Sequence, residues 1–189
     1  SHITPIDADF LVQNRLRGRV ELLRVTREGA VESLFDGDVE VNGHAASLGG
    51  RIVASVATPS SFGELVDIGD ARLTDFGAPL REAELSLPAE VEITARDGYP
   101  VHGWVAKPQG MGPFPVILQI HGGPYAQYGI HAFDETQVLV NAGYAVVYCN
   151  PRGSAGYGQA HGRSIRQAMG TLDYTDIMDF CDGVLAADT

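Results

Sequence analysis

The chain has 189 residues, and its 24 acidic against 13 basic side chains give a formal net charge of −11 at pH 7. Hydrophobic residues make up 44% and charged residues 20%, which are values of a globular protein and exclude a largely disordered one. The acidic balance argues against non-specific binding of nucleic acid, which depends on neutralising phosphates. No apolar run reaches the roughly 18 residues of a membrane-spanning helix. We therefore expect neither a nucleic-acid partner nor a membrane partner.

The cysteines and histidines of the chain limit the disulfide, metal and cofactor sites that we expect. Cys149 and Cys181 are too few for a disulfide scaffold, and no secretory signal is recognisable, which predicts two reduced thiols in a cytoplasmic protein. His121, His131 and His161 lack the spacing of a zinc site, so we expect no metal and no other cofactor.

The first part of the chain is predicted to be β-structure. Apolar and β-branched residues fill segments 20–26, 31–35, 39–41, 51–57 and 64–68. Pairs such as Asn42-Gly43 are predicted turns between them, and Arg15, Arg17 and Arg19 are predicted to share one face of an extended segment. Meandering antiparallel strands suit either a β-sandwich or a propeller blade, and the pattern alone does not separate the two.

After a connector at 76–88, strands and helices are predicted to alternate. The predicted elements are a hairpin of strands 91–95 and 102–106, a buried strand 116–120, a helix 133–142, a buried strand 144–149 and a helix 173–185. This order indicates the opening half of an α/β sheet with crossover helices.

Two glycine-rich loops follow the two buried strands. The segment 121–125 reads His-Gly-Gly-Pro-Tyr, and the segment 150–158 carries glycine at 153, 156 and 158. Both loops are expected at the carboxyl edge of the sheet, where open α/β sheets bind ligands. Paired glycines let a backbone aim N–H groups at a ligand, as in the oxyanion hole of α/β-hydrolases, although an ordinary Gly-Gly-Pro turn has the same sequence.

Four segments resemble the prolyl oligopeptidase family of serine peptidases, above all its acylaminoacyl-peptidase and dipeptidyl-peptidase branches. They are DGYPVHGWVAKP at 97–108, HGGPYAQYG at 121–129, NPRGSAGYG at 150–158 and DYTDIMDF at 173–180. The resemblance implies an α/β fold in two parts. Residues 1–80 would be the C-terminal part of a β-propeller, and residues 81–189 the N-terminal part of an α/β-hydrolase catalytic domain.

The resemblance also implies roles for single residues. Gly123 is the candidate backbone donor of the oxyanion hole, with Gly122 beside it, and Tyr125, Arg152 and Tyr157 are candidates for substrate binding. An alternative for Arg152 is that it holds its loop through charge-assisted hydrogen bonds.

Three further residues also have predicted roles. His121 occupies a position where some relatives have a tyrosine that helps to bind the oxyanion. Asp173 and Asp176 are interpreted as capping and dipole residues at the start of a helix.

The function implied by the resemblance is that of a serine peptidase that cleaves short peptides through an acyl-enzyme, releasing acylamino acids or dipeptides. No serine here lies in a G-x-S-x-G elbow, so we expect a fragment without the triad, inactive alone and with an unpaired sheet edge. Its partners would be a short peptide substrate and the remaining C-terminal half or another copy. The alternatives are a carboxylesterase or lipase-type α/β-hydrolase and a non-catalytic homologue that binds a small ligand.

Overall fold

The computed structural model describes residues 3–83 and 85–187. Its strands over these residues are β1 (Ile3–Ile6), β2 (Asp9–Leu16), β3 (Arg19–Val25), β4 (Val31–Phe35), β5 (Glu40–Ala46), β6 (Ile52–Thr58), β7 (Ser61–Asp67), β8 (Ala89–Thr94), β9 (Pro100–Ala106), β10 (Val116–Gln119) and β11 (Ala145–Asn150). Its helices are α1 (Ala78–Glu82), α2 (Asp134–Asn141), α3 (Gly158–Arg163) and α4 (Leu172–Ala187). The chain divides into two compact units between Leu85 and Ser86, with residues 129–132 belonging to the first.

The first unit is built on one sheet in the order β1-β2-β3-β5-β6-β7, with β4 paired to β3. Neighbouring strands are antiparallel except where β3 and β5 meet at Val20 and Glu40. Side chains alternate between the two faces, so that Ile52, Ala54 and Val56 of β6 are all buried. The core of this unit contains Ile6, Leu11, Val20, Leu22, Val39, Val41, Ile52, Ala54 and Val56.

The prediction for the arginine segment is wrong. Leu16 ends β2, and Arg17 and Gly18 form a turn in which both have positive φ, 47° and 77°. Arg15 and Arg19 therefore lie on two paired strands and not along one extended segment. The Asn42-Gly43 pair is also not a turn but lies inside β5, where the register shifts at a bulge.

A buried carboxylate organises the end of the first unit. Glu64 of β7 accepts hydrogen bonds from Thr74 Oγ1 at 2.6 Å, from the N–H of Gly77 at 2.6 Å and from the N–H of Phe76 at 3.0 Å. Ser61 Oγ donates a fourth at 3.2 Å. These donors, with Thr74 the strongest, lower the pKa of Glu64 to about 2 against the opposing effect of burial. The carboxylate thereby anchors the segment that leads into α1, a helix absent from the sequence prediction.

The second unit contains a four-stranded sheet in the order β10-β11-β9-β8. β10 and β11 are parallel, whereas β11–β9 and β9–β8 are antiparallel. α4 packs Phe180 and Val184 onto this sheet, where they join a core with Val101, Val105 and Val147. In the part of the chain that the structure describes, β10 has β11 as its one neighbour, so its other edge is unpaired.

The fold class is α/β, with a parallel strand pair joined by a helix. The predicted propeller and hydrolase assignments stay predictions. Their proposed boundary after residue 80 lies five residues before the observed division at Leu85, and it does not separate out residues 129–132. Within residues 3–83 and 85–187, none of the helices is long and apolar enough to cross a membrane.

The Glu64 interactions predict a pH dependence of stability. Because its folded pKa lies below the ordinary 4.5, ionised Glu64 stabilises the fold above that pH, and this contribution is lost as pH falls toward 2. Glu64→Gln should therefore lower the thermal unfolding midpoint at pH 7 by several degrees and flatten its fall between pH 4.5 and 2. The exposed Glu32→Gln should do neither, and parallel curves for Glu64→Gln and wild type would contradict the prediction.

A close approach at Gly103 of β9 predicts a packing defect. A Cβ at this position would lie 2.3 Å from the carbonyl oxygen of Tyr148, 2.6 Å from Phe180 Cζ and 2.7 Å from Cys149 Cα. Gly103→Ala should lower the free energy of unfolding by about 1–3 kcal/mol or more, measured from urea midpoints. Gly43→Ala is the control, because its Cβ would meet no atom within 4 Å; equal midpoints for the two variants would rule out the clash.

Candidate active site

The two glycine-rich loops lie at the same edge of the second sheet. The 121–125 loop follows β10 and the 150–158 loop begins at the end of β11, and parallel neighbours bring their carboxyl ends together. A cavity of about 110 Å³ lies against both loops. It is lined by residues 120–124 and 151–154 and by Ile165, Met169, Asp173 and Ile177.

The backbone N–H groups of Gly122 and Gly123 are available at this cavity. Neither donates a hydrogen bond to any acceptor in residues 3–83 or 85–187. Neither glycine has a positive φ; the left-handed residue of the loop is Tyr125, with φ 68°. A non-glycine residue rarely adopts that conformation, and such positions concentrate at functional sites. The arrangement offers two unused donors beside a small cavity.

Both ring nitrogens of His121 contact other groups of the chain. Nδ1 lies 2.8 Å from the carbonyl oxygen of Gly122, and Nε2 lies 3.0 Å from Ser154 Oγ. Ser154 Oγ also lies 2.7 Å from the carbonyl oxygen of Pro151. These two contacts occupy both ring nitrogens. The ring therefore connects the two loops and offers no unused N–H to the cavity.

Backbone hydrogen bonds hold the first loop against the second. The N–H of Tyr125 donates to the carbonyl oxygen of Gly153 at 3.0 Å, and the N–H of Ala155 donates to the carbonyl oxygen of Ala126 at 2.9 Å. Gly153 has φ 106°, and a Cβ there would lie 2.3 Å from Ile165 Cδ1. The second loop therefore requires glycine at this position.

The buried side-chain amide of Asn150 fixes the chain at Tyr128, just after the first loop. Asn150 Oδ1 accepts the N–H of Tyr128 at 2.8 Å, and Asn150 Nδ2 donates to the carbonyl oxygen of Tyr128 at 2.9 Å. Nδ2 also donates to Tyr157 Oη at 2.9 Å, which lies 2.5 Å from His102 Nδ1. His102 Nε2 in turn lies 2.6 Å from Glu90 Oε1. The Tyr157 hydroxyl is thus engaged by the fold.

Arg152 is the most highly connected side chain of the second loop. Its guanidinium binds Asp176 through Nη2–Oδ1 at 2.6 Å and Nε–Oδ2 at 2.9 Å, and binds Asp97 through Nη1–Oδ2 at 2.7 Å. It also stacks on Tyr99, with Cζ 4.5 Å from the ring centroid. The hydrogen bonds that Arg152 donates to Asp176 raise the pKa of Arg152, and the hydrogen bond from Arg152 lowers the pKa of Asp97. These contacts favour the alternative in which Arg152 holds its loop.

The interpretation of Asp176 as a capping residue is wrong. Its side chain is fully buried, and both of its oxygens bind Arg152. Asp173 does lie in the first turn of α4, where its Oδ2 accepts the N–H of Gly170 at 3.0 Å. That Asp176 is the buried partner of Arg152 can be found only from the packing of α4 against the second loop.

The cavity separates the five predicted site residues into two groups. Gly122, Gly123 and Arg152 line it, whereas its lining in the described chain does not include Tyr125 or Tyr157. Sequence reasoning assigned no role to Asn150 or Ser154, although both lie in the NPRGSAGYG segment. A polar side chain that ends a fully buried strand, as Asn150 ends β11, was the available signal.

Comparisons with known proteins identify the family that this chain resembles. Residues 130–188 match the prolyl oligopeptidase family. The uncharacterized peptidase YuxL of Bacillus subtilis (strain 168) is 41% identical over 146 residues, which cover 73% of this chain and 22% of that protein. Dipeptidyl aminopeptidase BIII of Pseudoxanthomonas mexicana is 32% identical over 150 residues, which cover 68% of this chain and 21% of that protein.

Solved structures give the same result over the whole chain. The acylaminoacyl peptidase of Pyrococcus horikoshii superposes with a TM-score of 0.89 at 26% identity, covering 100% of this chain and 30% of that one. The chain spans about a fifth of the length of the two curated relatives described above. Its similarity therefore concerns one segment of much longer proteins. On sequence and structure together, the chain belongs to the prolyl oligopeptidase family.

Proposed function

We propose that these residues are part of a longer serine peptidase and supply one donor of its oxyanion hole, the N–H of Gly123, with Gly122 beside it. The observation that carries the proposal is the pair of unused N–H groups at the end of β10, on a cavity shared with the 151–154 turn. Family membership supports the reaction class.

The reaction would be acyl transfer. A serine hydroxyl from outside these residues attacks the substrate carbonyl carbon, a base takes its proton, and the carbonyl oxygen becomes negatively charged. The Gly123 N–H would donate to that oxygen, and such a fixed donor is worth about 3–4 kcal/mol of transition-state stabilisation. Collapse expels the amine, which takes the proton from that base, and leaves a serine ester that water then hydrolyses. No serine here has glycine two positions before and two after it, so we propose that the 189 residues alone are inactive.

The proposed substrates are short peptides cleaved to release an acylamino acid or a dipeptide. One similar protein is named as an acylaminoacyl peptidase and another as a dipeptidyl aminopeptidase, which supports both specificities equally. The cytoplasmic location stays a prediction.

A serine-directed probe tests the reaction class. The complete protein should react covalently with a fluorophosphonate and hydrolyse acylaminoacyl or dipeptidyl amides, whereas the 189-residue chain should do neither. Hydrolysis of simple esters without any peptide amide would favour the carboxylesterase alternative. A complete protein that neither reacts nor hydrolyses would favour the non-catalytic homologue. Labelling of the 189-residue chain itself would refute the proposed absence of a nucleophile.

Alanine substitutions at the paired glycines test the donor. A Cβ at Gly123 would lie 3.3 Å from the backbone nitrogen of Tyr125, so the loop must shift by a few tenths of an ångström, whereas a Cβ at Gly122 meets nothing within 4 Å. In the complete protein, Gly123→Ala should lower kcat about tenfold with little change in KM, because a displaced donor fits the transition state less well. Gly122→Ala is the matched comparison and should lower kcat less than Gly123→Ala does, because its Cβ requires no shift of the loop. A larger loss of kcat in Gly122→Ala would contradict the assignment to Gly123.

A further inference from the structure

The backbone and the side chain of Arg152 bind the same carboxylate. The N–H of Arg152 donates to Asp176 Oδ2 at 2.8 Å, while Nε and Nη2 reach both oxygens of that group. Asp176 lies in α4 and is fully buried. Three donors of one residue bound to one buried group fix the place and the direction of the chain at 152 relative to α4.

The opposite side of the 151–154 turn is held through His161. Its Nε2 donates to the carbonyl oxygen of Pro151 at 2.8 Å, and its Nδ1 lies 2.9 Å from Tyr99 Oη. The carbonyl oxygen of His161 accepts the N–H of Gly153 at 2.9 Å. The ring of Tyr99 lies under the Arg152 guanidinium, so the two sides of the turn are joined to one cluster.

The 151–154 turn contacts the 121–125 loop at two points. The Gly153 carbonyl oxygen accepts the N–H of Tyr125, and Ser154 Oγ lies 3.0 Å from His121 Nε2. These two contacts lie on either side of Gly122 and Gly123. A shift of the 151–154 turn would therefore move both ends of the segment that carries the unused N–H groups.

We propose that Arg152, held between Asp97 and Asp176, is a positioning residue of the active site, which fixes the 151–154 turn so that the turn holds the Gly122 and Gly123 N–H groups in place. The inference rests on the proposed function, because the position of this segment matters for the reaction only if the Gly123 N–H binds an oxyanion.

The arrangement requires arginine. A guanidinium presents five N–H donors in one plane and a flat face, and here it binds two carboxylates and a tyrosine ring at once. A lysine ammonium is a single point of charge and has no flat face for the ring. Arg152→Lys should therefore retain the charge and part of the folding stability but lose the geometry.

The chain contains a matched control. Arg96 also binds one carboxylate of α4 with both its side chain and its backbone: Nε lies 2.9 Å from Asp179 Oδ1 and the N–H lies 2.8 Å from Oδ2. Its side chain is 65% exposed, against 9% for Arg152, and none of its described hydrogen bonds reaches the 151–154 turn. Removing it breaks a similar ion pair without touching the turn.

Kinetics of the complete protein test the proposal. Arg152→Met should lower kcat about 100-fold with KM changed less than about threefold, since the donors are misplaced for the transition state more than for the substrate. Arg96→Met should change kcat less than about twofold. Asp97→Asn, at a half-exposed carboxylate, should lower kcat about tenfold and leave the thermal midpoint near that of Arg96→Met. If Arg152→Met does not fold, Arg152→Lys and Asp97→Asn decide, and kcat within twofold of wild type in both would overturn the proposal.

Amide hydrogen exchange gives a readout that does not depend on activity. In the complete protein, Arg152→Lys and Asp97→Asn should speed exchange of the Tyr125 and Ala155 N–H groups about tenfold or more, and Arg96→Met should not. If the wild-type complete protein is inactive but the two variants still exchange faster, Arg152 has the positioning role and the proposed function is wrong. An active wild type whose variants show neither faster exchange nor lower kcat would overturn the positioning role alone.

Discussion

A charged group removed from water is tolerated only when its donors or acceptors are matched by partners in good geometry. Arg152 meets this requirement between Asp176, Asp97 and the ring of Tyr99. Removing one partner of such a buried pair costs about 3–5 kcal/mol, because the remaining charge is left uncompensated. The second loop therefore has one stable position on α4. That position fixes where the loop makes its other contacts.

The parallel pairing of β10 and β11 brings the loop that Arg152 holds to the candidate site. It places two loops at one sheet edge, where the second loop supplies acceptors and donors to the first through Gly153, Ser154 and Asn150. The N–H groups of Gly122 and Gly123 are among the polar groups of these loops that donate to no acceptor in the described chain. For the proposed function this matters because donors that are fixed before the substrate arrives need no reorganisation during the reaction.

Most strands could be predicted, because β6 and β9 carry the apolar and β-branched residues that strands prefer. The elements that sequence reasoning missed have weak local signals. β2 contains polar and charged residues at several positions, and α3 contains glycine at 158 and 162, so that tertiary contacts outweigh intrinsic propensity there. Similarly, Asn42-Gly43 has the composition of a turn, yet pairing with β6 draws it into a bulged strand.

The sequence by itself determined the alternation of strands and helices after residue 88, the α/β class and the two loop motifs, because these depend on residues close together in the chain. Only the tertiary structure decided which polar groups of those loops have partners. Arg152 and Asp176 are 24 positions apart, and His102 and Tyr157 are 55 apart. Whether an N–H at Gly123 is free or an arginine is engaged depends on such distant contacts, which local patterns of polarity and turn residues do not encode.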